Sequence, residues 1–174
     1  TVSLLSTYNA NMLMGSPAFL ESFILWALGK KIKLDGIKQV YVGGGFLERG
    51  LIENLKATLP KECIIRTIYG STEVEPISFA VPDELDNYDD KYGFEGYCVG
   101  KPIEEARVKL IKFKYGQIRS DELQELPQGA IGEIIVSGPH VNDNYSPKEP
   151  AWSNNKIVDE DGTIWHRMGD AGYL

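Results

Sequence analysis

Apolar positions in the first third of the chain follow a helical period, then a strand period, then a helical one again. Phe19, Leu20, Phe23, Ile24, Trp26, Ala27 and Leu28 cover most of a helical circumference, which predicts a buried helix. Ser16-Pro17 is suited to open that helix, because serine caps free amides and proline fits the first turn, and Gly29 is suited to close it. Beyond the turn residues Asp35-Gly36, Lys38 to Val42 read as a short strand that runs into Gly43-Gly44-Gly45. Leu47, Leu51, Ile52, Leu55 and Leu59 then recur at helical spacing until Pro60, and Cys63 to Ile68 read as a second strand. Strand, helix and strand within about thirty residues make a βαβ unit, whose strands are expected to be parallel neighbours joined by a right-handed crossover. Ligands in such sheets sit at the carboxyl ends of the strands. Here those ends are Gly43 to Gly45 and the loop Tyr69-Gly70-Ser71-Thr72-Glu73.

The pattern changes after residue 82. Pro82 to Gly96 is acidic and loop-like, with the run Asp83 to Asp90 expected to be solvated. Beyond it come short β segments at Tyr97 to Val99, Arg107 to Phe113, Gly132 to Ser137 and Thr163 to Met168. Asp161-Gly162 marks a hairpin turn between Lys156-Ile157-Val158 and the last of these. The expected organisation is an α/β subdomain over 1–82 and a β-rich subdomain over 83–174.

Composition narrows the function classes. With 174 residues, 43% hydrophobic and 25% charged, the chain has apolar material for a core. Its net charge of −7 argues against a nucleic-acid-binding face, which needs clustered cations. Cys63 and Cys98 stand far apart without metal or disulfide spacing, which fits a reducing, cytoplasmic setting. Asn9, Asn11 and Glu21 interrupt the apolar residues before Leu28, so neither a membrane span nor a signal peptide is expected. Thr1 in place of methionine points to a chain cut from a longer one.

Three segments carry groups suited to chemistry. A glycine run after a strand invites a dinucleotide-binding reading, but Glu48 stands where a third glycine belongs; the alternative is a turn that needs glycine for geometry alone. A phosphate loop of the Walker type is absent, since Gly29-Lys30 is followed by Lys31. Tyr69-Gly70-Ser71-Thr72-Glu73 joins an aromatic plane, a hinge, two hydroxyls and a carboxylate, groups that can stack a base, bond a phosphate and hold magnesium. Alone, such a loop is more often a capped turn. Trp165-His166-Arg167-Met168-Gly169-Asp170-Ala171-Gly172 ends a strand in a glycine-flanked aspartate able to accept from two ribose hydroxyls, or simply to make a turn. His166 reads as a packed or edge histidine rather than a base, His140 as a loop residue, and a metal site from Cys63, Cys98, His140 and His166 has no supporting spacing.

Together these segments, with Gly132-Glu133-Ile134-Ile135-Val136-Ser137-Gly138 and the following Tyr145, resemble the adenylate-forming superfamily of acyl-CoA synthetases, peptide-synthetase adenylation domains and luciferases. Tyr97-Cys98-Val99-Gly100-Lys101-Pro102 and Trp165 to Asp170 are most similar to fatty acid–CoA ligase-like members and the β-lactone synthetases of olefin biosynthesis. The resemblance implies an internal portion of the large N-terminal domain, with a barrel-like β-rich part, and a site for ATP or AMP with Mg2+. Gly43, Gly44 and Gly45 would line the adenine pocket, Tyr69 would pack on the base, and Gly70, Ser71 and Thr72 would meet the phosphates. Thr72 and Glu73 would be catalytic, Glu73 as the magnesium ligand, and Asp170 would hold the ribose. Phe46, Val74, Pro76 and Ile77 would border the acyl pocket. The chain departs from most members at Met168, where they carry threonine. The implied reaction activates a carboxylic acid as its adenylate and passes the acyl group to coenzyme A or a carrier protein through a C-terminal domain. A fatty or other apolar acid is favoured, and these residues alone are expected to be inactive. The alternatives are a β-lactone synthetase, an amino-acid adenylation domain, and a nucleotide-binding or interaction module without chemistry.

Overall fold

The computed structural model describes residues 2–81 and 96–174 and begins with α1 (Val2–Thr7) and a short strand, β1 (Met12–Gly15). The acidic run Asp83 to Asp90 and the subdomain division after residue 82 lie outside the described residues. Helix α2 (Pro17–Gly29) starts where its capping residues place it, with the Phe19 N–H donating to Ser16 Oγ at 3.3 Å. It is not buried all round. Leu20, Ile24 and Ala27 are fully enclosed, whereas Phe19, Leu25 and Trp26 are 57%, 50% and 46% exposed. Only one stripe is enclosed by the core; Phe23, half-buried at its edge, packs against that core and stacks between the exposed rings of Phe19 and Trp26 at centroid distances of 6.4 and 6.1 Å.

Strand β2 (Gln39–Gly43) lies parallel to β1 on one side and to β3 (Ile64–Ser71) on the other, and α3 (Arg49–Thr58) connects β2 to β3. Leu51, Ile52 and Leu55 of α3 join Leu20 and Ile24 of α2 and Val40 and Val42 of β2 in one core. The expected parallel βαβ unit is present. Strand β3, however, runs on through Tyr69-Gly70-Ser71, so these residues belong to a strand and not to a loop. A further strand, β4 (Val74–Ala80), follows after Thr72 and Glu73; it contains Pro76, a residue that argues against a strand when read in sequence. With β5 (Lys101–Pro102) the sheet has the order β1-β2-β3-β4-β5.

The stretch Tyr97 to Val99 is not a strand. Tyr97 is fixed through its side chain instead: its hydroxyl accepts from the Leu47 N–H at 3.3 Å and its ring lies 4.3 Å from that of Phe46. The segment ends at Gly100 with φ +82°, which interrupts an extended course.

Strands β6 (Arg107–Ile111), β7 (Gly132–Ser137), β8 (Lys156–Val158) and β9 (Ile164–Gly172) form an antiparallel sheet of order β6-β7-β9-β8. A short helix, α4 (Ala151–Asn155), leads into β8, and a 3-10 turn (Ser120–Glu122) lies between β6 and β7. Ile111, Ile118, Ile135, Ile157 and Trp165 form its core. The sheet is open at β6 and β8, so the described residues contain no closed barrel. Asp161-Gly162 turns the chain between β8 and β9 as expected, with Gly162 at φ +83°.

Gly169 and Asp170 do not end a strand. They are part of β9, where a bulge sets one residue of β7, Ile134, against Met168, Gly169 and Asp170. Gly169 takes φ +73° there. The chain resolves into two compact units, Thr1–Tyr69 with Phe79–Lys101 and Gly70–Ser78 with Pro102–Leu174.

Candidate functional site

In the first unit, Gly43 pairs with Ile68 across the parallel β2–β3 ladder. That register places the glycine run and Tyr69 together at the carboxyl edge of the two strands. Gly44 has φ +76°, so it answers a conformational need that L side chains meet poorly. A Cβ at Gly45 would only touch the Pro17 ring, at 3.4 Å. Phe46, 50% exposed, follows the run.

In the second unit, Thr72 and Glu73 form the tip of the β3–β4 hairpin. Glycine is required at position 70 because a Cβ there would lie 2.7 Å from the Val74 carbonyl oxygen. Ser71 Oγ accepts from the Glu73 N–H at 3.3 Å, and the Glu73 carbonyl accepts from the Asn142 N–H at 2.7 Å, so both sides of the turn are fastened. Thr72 is exposed at the tip. Val74 and Ile77 are each only 1% exposed, and the Pro76 carbonyl accepts from His140 Nε2 at 2.9 Å. Asp170 is exposed on the β9 bulge.

Behind Glu73 stands a group of polar side chains that the sequence did not bring together. Lys156 and His166 are register partners across β8 and β9, and they are 2% and 4% exposed. His166 Nε2 lies 3.5 Å from Ser71 Oγ and 3.9 Å from the Glu73 carboxylate, and Nδ1 lies 3.3 Å from the Asn155 carbonyl. The Lys156 ammonium donates to the Asn142 carbonyl and lies 5.5 Å from the Tyr145 ring centroid. The Tyr145 hydroxyl is buried and makes no hydrogen bond of normal length, though it stands close enough to Glu73 to feel its charge.

The electrostatics of this group follow from burial. Burial works to raise the Glu73 carboxyl, but its own backbone amide, Ser71, His166 and Tyr145 outweigh burial and hold it below the usual carboxylate range. Burial first, and the Glu73 charge second, push the Tyr145 phenol up to about 12. Burial lowers Lys156, with Glu73 and Asp143 opposing. Burial and the neighbouring Lys156 push His166 down to about 4, so the imidazole is neutral near pH 7.

A pH dependence follows. Between the ordinary 6.5 and about 4 the unfolded chain binds a proton at His166 that the folded chain does not. Stability is therefore full above the ordinary value and falls with pH toward the folded one, by up to about 3 kcal/mol. Urea unfolding of the parent and of His166→Phe near pH 7.5 and 4.5 measures it. The variant is expected to show a flatter profile, and an identical slope in both would exclude His166 as the source.

The signal for Lys156 and His166 was available only as hairpin register around Asp161-Gly162, which pairs them once the loop length is known. Among the described residues no group of three or more His, Cys, Asp or Glu side chains is disposed to hold a metal ion, and no helix is long and apolar enough to cross a membrane.

The profile of the family described as "AMP-binding enzyme" matches residues 1–146. An olefin beta-lactone synthetase of Xanthomonas campestris is 29% identical over 98% of this chain and 31% of its own length. A probable 4-coumarate–CoA ligase of Dictyostelium discoideum is 29% identical over 83% of the chain and 23% of its own. A crystal structure of a long-chain-fatty-acid–CoA ligase from Archaeoglobus fulgidus superposes with a TM-score of 0.73 at 20% identity, covering 99% of this chain and 33% of that one, a likeness of fold. The chain thus spans between about a quarter and a third of the length of these relatives.

Proposed function

Because the chain belongs to the AMP-binding enzyme family, whose members include acid–thiol ligases, we propose that it supplies part of a site where ATP activates a carboxylic acid. A carboxylate oxygen of the acid attacks the α-phosphorus of ATP, the bond from that phosphorus to the bridging oxygen breaks, and pyrophosphate leaves. The thiolate of coenzyme A or of a carrier protein then attacks the acyl carbonyl carbon, the bond from that carbon to the phosphate oxygen breaks, and AMP leaves as the thioester forms. The observation that carries this reading is Glu73: a carboxylate held ionised at the tip of a fastened hairpin, beside the exposed hydroxyl of Thr72.

One carboxylate suits Mg2+, which takes one or two from protein and the rest from substrate phosphates and water. Glu73 would hold it, and the ion supplies charge neutralisation at the phosphates when it arrives with the nucleotide. The remaining work belongs to the chain. Thr72 donates to the α-phosphate at the hairpin tip, with Gly70 and Ser71 shaping the approach. The glycine-run backbone, Gly43 to Gly45, borders the adenine, Tyr69 packs on its face, and Asp170 accepts from the ribose hydroxyls. Phe46 supports an apolar acyl substrate, since half of a large aromatic ring is left exposed beside the glycine run. Val74, Pro76 and Ile77, on β4, are assigned to the border of the acyl pocket. The free thiols of Cys63 and Cys98 support a cytoplasmic setting, and an apolar acyl substrate would place the enzyme in fatty acid metabolism. Turnover is assigned to the longer protein and not to these 174 residues alone.

The test is ATP–pyrophosphate exchange by the full-length protein across a panel of acids, in the parent and in Glu73→Gln. Exchange should depend on the acid and on Mg2+, favour fatty acids, and fall about a hundredfold in the variant, while metal-free AMP binding is kept. Equal exchange rates in parent and variant would end this assignment of Glu73.

A further inference from the structure

Tyr97 stands fifty residues beyond Leu47 and holds the exit of the glycine run at two consecutive positions. Its hydroxyl oxygen accepts from the Leu47 N–H at 3.3 Å, and its ring centroid lies 4.3 Å from that of Phe46, the planes tilted by 51°. A backbone amide can only donate, so the direction of this bond is fixed. The tie supplies a partner where the start of α3 has none of its own, since Glu48, the N-cap residue, makes no capping bond from its side chain. Tyr97 is itself anchored. It packs against the core of the first unit, and the segment that carries it is fastened at Gly100, where a Cβ would lie 1.9 Å from the Phe79 carbonyl oxygen. Phe46 is thus flanked by one ring and pinned through the next amide, yet 50% exposed. An exposed phenylalanine is ordinary by itself. One held by a neighbour offers a preformed apolar surface, because little ordering remains to be done when a ligand arrives.

We propose that Tyr97 is a positioning residue that sets acyl-chain preference: its ring and hydroxyl clamp Phe46 and Leu47, and the exposed part of the Phe46 ring packs on the hydrocarbon chain of the acid. Tyr97 touches no substrate. The gain grows with chain length, because a short acid has little hydrocarbon to lay on the ring. The place of Phe46 in the acyl site rests on the proposed function; the clamp does not.

Two measurements decide it. In the full-length protein labelled with 15N at leucine and 13C at phenylalanine, Tyr97→Phe should speed hydrogen exchange at the Leu47 amide about tenfold, since the acceptor is gone and the ring remains. Tyr97→Leu should shift the Phe46 ring signals. Either signal left unchanged by its variant overturns the clamp. In pyrophosphate exchange, the ratio of KM for butanoate to KM for decanoate should fall about tenfold in Phe46→Ala and about fivefold in Tyr97→Leu. In Tyr97→Leu, kcat on butanoate and KM for ATP should stay within about twofold of the parent. Because Tyr97 acts through Phe46, adding Tyr97→Leu to Phe46→Ala should lower the ratio no further. A general folding defect would change both acids alike and cannot mimic a shift in their ratio. A ratio unchanged in Tyr97→Leu, or a full further fall in the double variant, overturns the positioning role. Absence of exchange in the parent overturns the proposed function and the acyl-chain role with it, and the amide and ring signals then decide the clamp alone.

Discussion

Replacing Arg167 with methionine is expected to lower the unfolding free energy by about 3–5 kcal/mol, although this arginine sits in a segment that also carries the candidate ribose ligand. Its guanidinium meets Glu133 side-on, with Nε donating to one carboxylate oxygen at 2.9 Å and Nη2 to the other at 2.8 Å. The two side chains are 10% and 7% exposed, so water cannot replace either partner. The same guanidinium also donates to the carbonyls of Lys114, Gly116 and Asn154, at 2.7, 2.5 and 2.9 Å. Removal would strand a buried carboxylate and leave three carbonyls without this donor. Glu133→Ala should cost less, because the arginine keeps its bonds to the carbonyls. Glu133→Leu combined with Arg167→Met should cost less than the two single losses added together, since no unpaired charge remains. Urea unfolding at neutral pH measures all of these. A loss under about 1 kcal/mol for Arg167→Met would mean the pair behaves as an exposed one.

Gly100→Ala is the second change expected to be severe. Gly100 has φ +82°, and an added Cβ would lie 1.9 Å from the Phe79 carbonyl oxygen and 2.5 Å from its carbon. The obstacle is backbone, so no side chain can swing aside, and the cost is expected to be about 3 kcal/mol or more. Gly116 is the control: its φ is +74°, but a Cβ there meets nothing within 4 Å. Gly116→Ala should cost only the conformational share, about 1 kcal/mol. The difference in melting temperature between the two variants isolates the clash. Similar temperatures would show that Phe79 and Gly100 separate at little cost.

The parts of the fold legible in the sequence are those whose causes are local. Ser16 and Pro17 announce α2 because a cap acts within three residues, and Asp161-Gly162 announces its hairpin for a similar reason. The strand–helix–strand order fixes a parallel pair, because a crossover helix admits little else. What was hidden depends on neighbours distant in the chain. β1 is Met-Leu-Met-Gly, without β-branched residues, and exists because it pairs with β2. β4 holds a proline that local rules read as a break. The exposed side of α2 could not be foreseen from apolar count alone, since the count says nothing of which faces find a partner.

The candidate site divides in the same way. Glu73, Thr72 and Ser71 were visible because hydroxyls and a carboxylate stood together in five residues. Lys156 passed as one residue of a short strand and His166 as a packed histidine. His166 is packed, but against Ser71 and within 4 Å of the Glu73 carboxylate, a relation set by sheet register and by the Asn155 carbonyl.

The bulge in β9 spends three residues, Met168 to Asp170, where β7 spends one, so the surplus is an even number. Side chains alternate with a period of two along a strand, and an even surplus leaves inward and outward positions undisturbed on both flanks. Ala171 and Gly172 therefore keep their partners Glu133 and Gly132 whatever the looped residues are. Shortening by one residue would turn the remainder of the strand inside out, whereas shortening by two could heal into regular pairing and delete the protruding aspartate. The pairing of β9 with β7 on both flanks is thus set by the number of looped residues rather than by which residues they are.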